Sequence, residues 1–220
     1  MRRRARARTA IAVAATGRGR AGGRGSELEE GERQRAGGIP DFGGVLAAAQ
    51  ANAGWAFKRL FEGYAPAVLG YLRSQGAWDP DGMTNEVFFA AFRALHRFQG
   101  DEARFRSWLF TITYNRVIDD RRKQARQVAR TSRSPTDAVM PPGGNVEDEA
   151  ITLLANSEVR VLLDHLTPDQ RNVLLLRIVG DLTIAQVAVV LDKPQGAVKA
   201  LQRRALGALA RILESEGVPL

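Results

Sequence analysis

FRSWLFTITYNRVIDDRRK, residues 105–123, has no Pro, no Gly and the length of a helix. At about 100° per residue its apolar side chains fall into two clusters. Phe105, Trp108, Leu109 and Ile112 point one way, while Phe110, Tyr114, Val117 and Ile118 point nearly the opposite way. A surface helix needs a single apolar stripe. Two stripes require cover on both sides, with the early cluster holding the helix to a bundle and the later one packing on the bundle's opening helices. Arg116 and the run Arg121 to Lys123 are expected to project past the packed body.

Neighbouring segments supply that bundle. The apolar spacing predicts helices over about 45–74, 80–98 and 104–129. Phe57, Leu60, Phe61, Tyr64, Val68, Leu69 and Leu72 recur at intervals of three and four in the first. Met83, Val87, Phe88, Ala91, Phe92 and Leu95 do so in the second. Residues 130–149 contain Pro135, Pro141, Pro142, Gly143 and Gly144 and read as a linker. Helical pattern resumes over 150–166. Thr167 and Thr183 are N-cap candidates, Pro168 sits at a first helical position, and Gly180-Asp181 reads as a stop. The expected fold is all-α: two small helical domains at 39–130 and 150–216, a flexible acidic linker at 131–149 and a disordered basic extension at 1–38. For that extension the rivals are a signal peptide, disfavoured by its short apolar run before Arg18 and Arg20, a misassigned start and a DNA-affinity tail.

The net charge of +8 is unevenly distributed. Residues 1–38 carry +6, residues 104–133 carry +7, and residues 134–169 carry −6. Residues 193–211 hold five bases and no acid. Two basic blocks around an acidic one predict two anion-binding surfaces joined by a non-binding segment. Without cysteine there is no disulfide, no thiolate chemistry and no Cys-based zinc site. No apolar run reaches the roughly 20 residues that span a bilayer. His96 and His165 lack companions for metal or acid–base chemistry, and no P-loop or nucleophile–base pair occurs. Neither a cofactor nor a metal is expected, and the chain does not read as an enzyme.

LTIAQVAVVLDKPQGAVKALQRRALGALARIL, residues 182–213, has helix–turn–helix form. Ile184, Val187, Ala188 and Leu191 face inward on a short helix. Val198, Leu201, Ala205, Ala208, Leu209 and Ile212 do so on a longer one. Gln195, Lys199, Gln202, Arg203 and Arg204 lie off that stripe, where such side chains read major-groove edges or clamp phosphates. A helical hairpin with solvated charges is the bland alternative; the lack of acids from Lys193 to Arg211 favours DNA.

From Phe57 to Leu213 the chain resembles bacterial sigma factors of the extracytoplasmic-function type. LTPDQRNVLLLRIVGDLTIAQVAVVLDKPQGAVK is similar to the sigma-4 domain, which binds the promoter −35 element. FEGYAPAVLGYL, MTNEVFFAAFRAL and RFQGDEARFRSWLFTITYNRVIDDRRK are similar to successive parts of the sigma-2 domain: its opening helix, its polymerase-docking helix and its −10 segment. The resemblance implies binding of core RNA polymerase through Asp81, Asn85, Glu86, Phe88, Phe89 and Arg93. It implies −10 recognition through Gln99, Asp101, Arg106, Asn115, Arg116, Arg121, Arg122 and Lys123. Gly82 and Asn85 depart from the family's usual Asp and Gln, and Leu201-Gln202 exchanges its usual apolar and polar order.

Adjacent Phe88 and Phe89 cannot both face one core, so one is expected to meet a partner. Trp108 shares a face with Leu109 and Ile112 and reads as core rather than as a base-stacking residue. Asp119-Asp120 reads as orienting nearby Arg side chains. DNA stacking is worth about 1.4 kcal/mol per step, while one captured base returns about 1–3 kcal/mol. The polymerase must therefore supply most of promoter opening. The implied partners are core polymerase, promoter DNA and an anti-sigma factor; the free chain reads as a cytoplasmic monomer. The linker reads either as a plain tether or as a segment lying in the RNA channel. A stand-alone helix–turn–helix regulator is the rival reading, and it requires a palindromic site.

Overall fold

The computed structural model describes residues 38–130 and 157–215, which are helical throughout apart from short turns. Residues 1–37 and 131–156 lie outside the described residues, and with them the readings made of the extension, the linker and the start of the 150–166 helix. The helices in chain order are α1 (Phe42–Gln50), α2 (Gly54–Ser74), α3 (Pro80–Ala94), α4 (Glu102–Arg130), α5 (Ser157–Asp164), α6 (Pro168–Ile178), α7 (Ile184–Leu191) and α8 (Gln195–Ser215). A 3₁₀ turn, Leu95–Arg97, follows α3.

Short polar side chains set most of the boundaries. Asp41, Asp79 and Asp101 accept the amides of Gly44, Gly82 and Arg104 at 3.2, 2.8 and 2.8 Å. Thr167 with Gln170, and Thr183 with Gln186, form two reciprocal capping boxes. The first expected helix is in fact two. Asn52 adopts a left-handed φ of 63° between α1 and α2, which reverses the chain after Gln50. The expected 80–98 helix stops at Ala94 and tightens into the 3₁₀ turn. Gly180 follows α6, where an added Cβ would meet the Leu176 carbonyl at 2.7 Å, so a side chain is excluded there.

Helix α4 lies at the centre. Phe105 and every residue from Ser107 to Thr113 are buried, and only Arg106 interrupts them. On one side Phe105 meets Phe42, Tyr64, Phe98 and Trp108, with ring centroids 5.2–5.7 Å apart. Trp108 is 1% exposed, as its core reading required. On the other side Phe110 stands edge-on to Tyr71 of α2 at 5.7 Å. That much matches packing on the opening helices. The same side is also covered from the C-terminal half, because α7 runs beside α4 and α6 touches α2. Two buried hydroxyls of α4 are paired internally: Thr111 and Thr113 donate to the carbonyls of Ser107 and Leu109 at 2.9 Å, whereas the buried Trp108 Nε1–H finds no acceptor.

The C-terminal half shows the same two-sided burial. Asn172 to Leu176 are five consecutive buried residues of α6, packed against α8 on one side and reaching α2 on another. On α7 Val190 is buried together with Val187, Ala188 and Leu191. One inward stripe does not account for Val190; α7 also packs along α4.

Two measurements test this packing. Phe105→Ala should lower the unfolding free energy by about 3–5 kcal/mol, because its cavity opens amid four rings. Burial pushes the phenols of Tyr64 and Tyr71 well above their usual range; beside them, the Glu102 carboxylate adds to the shift of Tyr64 and Tyr114 to that of Tyr71. Their unfolded value is about 10. A raised folded value leaves stability intact below about pH 10 and removes it as pH climbs further. Urea midpoints should hold steady up to that point and fall beyond it. Tyr71→Phe should reduce the fall by about 1.4 kcal/mol per pH unit.

Candidate nucleic-acid interface

The turn between α7 and α8 is closed by backbone. Asp192 takes a left-handed φ of 52°, and the Lys193 amide donates to the Ala188 carbonyl at 3.0 Å. Lys193 pairs with Asp169 at 2.9 Å, tying the turn to the start of α6. Helix α8 buries Val198 and Ala205 and half-buries Leu201, Ala208, Leu209 and Ile212. Gln195, Lys199, Arg203 and Arg204 are exposed, while Gln202 is half-buried. Residues four apart share a helix face, so Gln195, Lys199 and Arg203 form one polar row along α8. Arg203, Arg204 and Arg211 also line a groove of about 470 Å³ with Gln170, Gly207 and Ala208. Its chemistry suits an anionic backbone.

Helix α3 presents a different surface. Asp81, Asn85, Glu86, Phe89 and Arg93 are exposed. Phe89 is 64% exposed, an unusual state for a phenylalanine, and the Arg93 guanidinium lies 5.6 Å from its ring centre. Phe88 is a correction to the contact set. It is 2% exposed, with Phe61 and Phe92 at 4.7 and 5.6 Å, because its side of α3 faces α2. Of the two neighbouring rings, Phe89 alone is available to a partner.

The residues expected at the −10 element divide into four kinds. Gln99 and Asp101 are exposed in the short connection before α4, and the Asp101 carboxylate caps that helix. Arg106 lies in the first turns of α4. Arg122 and Lys123 are exposed, with Arg122 3.3 Å from Asp119. Asn115 and Arg116 are half-buried, and Arg116 pairs with Glu86 of α3 at 3.1 Å.

Arg106 and Arg121 are engaged within the chain. Arg121 does not project: it donates to the Gln75 carbonyl and side-chain oxygen at 3.1 and 2.7 Å. Arg106 binds Asp181 at 2.7 Å and approaches Glu102 at 3.5 Å. Both bend back because carbonyl or carboxylate acceptors lie within reach on the packed body. Asp119 and Asp120 do orient neighbours, but these are Arg122 and Gln124.

Sequence reading missed the polar groups that pair the two halves beside these arginines. Asn172 is 3% exposed, accepts from Gln75 at 2.6 Å and lies 3.4 Å from the Tyr71 hydroxyl. Gln186 donates to the Ala103 carbonyl at 2.8 Å. These partners are 75–101 residues apart along the chain, and no local pattern announces them.

Comparison with known proteins bears on both halves. The family model for Sigma-70 region 2 matches residues 60–127, and that for Sigma-70, region 4 matches residues 162–211. The chain is 32% identical over 170 residues to the ECF RNA polymerase sigma factor BldN of Streptomyces coelicolor, a match covering 76% of this chain and 64% of that protein. It is 28% identical over 158 residues to the ECF RNA polymerase sigma factor RpoE of Cereibacter sphaeroides, covering 70% and 84%. Among solved structures it is similar to CnrH in complex with the cytosolic domain of CnrY, at 26% identity and a TM-score of 0.54, covering 78% of this chain and 96% of that one. The sigma factor RpoE bound to the anti-sigma factor NepR, from Bartonella quintana, shares the fold at 20% identity and a TM-score of 0.58, covering 72% and 96%. The turn and most of the helix–turn–helix of α7 and α8 thus lie in the region 4 match, α3 and most of α4 lie in that of region 2, and the chain belongs to the sigma-70 family as an RNA polymerase sigma factor of the ECF type.

Proposed function

We infer that this chain is a dissociable initiation subunit, which binds core RNA polymerase through the exposed side of α3 and promoter DNA through α8 and α4. The observation that carries the reading is the outer face of α8. Gln195, Lys199, Arg203 and Arg204 stand exposed there, on the second helix of a helix–turn–helix, with no acid from Lys193 to Arg211. Such a face suits phosphates and guanine edges in a major groove. Domain limits of 39–130 and 150–216 accompany the reading. In the first domain Phe89 and Arg93, with Asp81, Asn85 and Glu86 beside them, form the polymerase contact. Gln99, Asn115, Arg122 and Lys123 serve the −10 element.

The function needs binding and no bond-making step, so the chain acts without a catalytic residue of its own. Among the described residues no helix is long and apolar enough to cross a membrane. A cytoplasmic site of action follows from the polymerase it would serve. An anti-sigma protein is a natural regulator, since two relatives of this fold were solved with partner proteins bound.

Run-off transcription with purified core polymerase on a genomic promoter library tests the reading directly. Specific starts at two-part, non-palindromic promoters support it. Tight binding to a palindrome without polymerase would instead indicate a stand-alone regulator. Phe89→Ala should weaken association with core polymerase at least tenfold in a pull-down while leaving the melting temperature unchanged. Phe88→Ala should destabilise the fold itself, by about 3–5 kcal/mol. Arg203→Ala should cost about 1–3 kcal/mol at one −35 base pair if it reads an edge. If it touches only phosphate, it should weaken all promoters alike and flatten their salt dependence.

A further inference from the structure

Trp78 stands in the turn between α2 and α3 and is 74% exposed, more than any other large apolar side chain among the described residues. A tryptophan ring carries about 150–250 Å² of largely apolar surface, which water solvates poorly. The turn that presents it is fixed on both sides. The Gly76 amide donates to the Arg73 carbonyl at 3.0 Å and the Ala77 amide to the Leu72 carbonyl at 3.2 Å, a Schellman ending for α2. Gly76 supplies the left-handed φ of 70° that this ending needs. Ala77 is buried, and Arg121 holds the Gln75 carbonyl and side-chain oxygen. Asp79 caps α3 through the Gly82 amide at 2.8 Å. Both chain neighbours of Trp78 are thus held in place, so little ordering remains when a partner arrives.

We propose that Trp78 anchors this chain on core RNA polymerase, as a second apolar contact at the N-terminal end of the face that α3 presents. The proposal rests on the functional reading above and adds to it a residue outside α3. Asp81, three residues on, begins an exposed row that continues through Asn85, Phe89 and Arg93. Among the exposed residues of α3, Phe89 alone is apolar. The axial rise from Pro80 to Phe89 is about 14 Å, so the two rings stand towards opposite ends of one continuous strip. Binding energy at protein interfaces concentrates in a few such residues, with tryptophan prominent among them.

Charge decides between protein and DNA as the occupant. Asp79 and Asp81 are exposed on the α3 side of the ring. Arg73, the cation beside them, pairs with Asp81 at 3.6 Å. Carboxylates next to a ring repel a phosphate backbone, whereas a protein surface can set a Lys or Arg against them.

Trp55 supplies the control. It is 61% exposed on the side of α2 that carries the Lys58–Glu62 pair. In the full-length protein, Trp78→Ala should weaken association with core polymerase about tenfold at an unchanged melting temperature. Trp55→Ala should bind as wild type does. The native ring is read separately in Trp55→Phe protein carrying 5-hydroxytryptophan, which is excited apart from the polymerase's own tryptophans. Trp108 is 1% exposed and escapes iodide, so iodide quenching then reports Trp78. Quenching should be strong in the free chain, fall several-fold when core polymerase is added, and stay unchanged with promoter DNA alone. Wild-type affinity in Trp78→Ala, an equal loss in Trp55→Ala, or full quenching in the complex would overturn the anchor. Protection by promoter DNA without polymerase would place the ring on DNA and overturn it too. Should Trp78→Ala melt early, the quenching of the native ring decides. If wild type binds core polymerase and Trp78→Ala binds equally well, the anchor alone falls; if wild type does not bind, the functional reading falls with it.

Discussion

Everything in this molecule is arranged around a helix with almost no free side in its first half. From Phe105 to Thr113, α4 leaves only Arg106 partly in solvent. A helix so enclosed must have neighbours on opposite faces, and it must satisfy its own polar side chains. Aromatic rings supply one face, where Phe105 lies among Phe42, Tyr64, Phe98 and Trp108. Tyr71 and α7 supply the other. Thr111 and Thr113 turn their hydroxyls onto backbone carbonyls one turn back, so they can be buried without an outside partner. Fully burying a large apolar side chain is worth about 1.5–3 kcal/mol. A stripe with several such side chains is not left to water when a covering helix is within reach.

That constraint separates structural charge from functional charge. The basic residues of α4 look alike in sequence, yet they fall into two sets. Arg106 and Arg121 stand beside acceptors and are spent on them. Arg122 and Lys123 extend from the end of the packed body and remain exposed. On α8 the basic residues meet no carboxylate along their own helix from Lys193 to Arg211, and the outer row stays exposed for nucleic acid. The exposed Phe89 on α3 follows the same logic in reverse: an apolar ring is kept wet where a partner's groove can desolvate it.

The two halves therefore serve two purposes with one set of contacts. Each matches one region of its family and has its own caps, and their buried side chains form one continuous cluster. Together they bury the stripe that α4 would otherwise expose. Polar groups at the junction, Asn172, Gln75, Asp181 and Gln186, give the contact direction and register, since each must find its particular partner.

Local chemistry made much of this legible in the chain alone. Helical period, the Asp and Thr caps, the helix–turn–helix form and the acid-free row on α8 depend on residues within a turn or two of each other, so spacing reveals them. It also revealed that α4 has two apolar faces. What covers the second face, which of Phe88 and Phe89 is buried, and which arginines are already engaged depend on residues of other helices, such as Phe61 beside Phe88 and Gln75 and Asp181 beside Arg121 and Arg106. No helical period carries that information, and only the tertiary structure decided it. Burial and hydrogen-bond partnership belong to pairs of surfaces, whereas periodicity belongs to one.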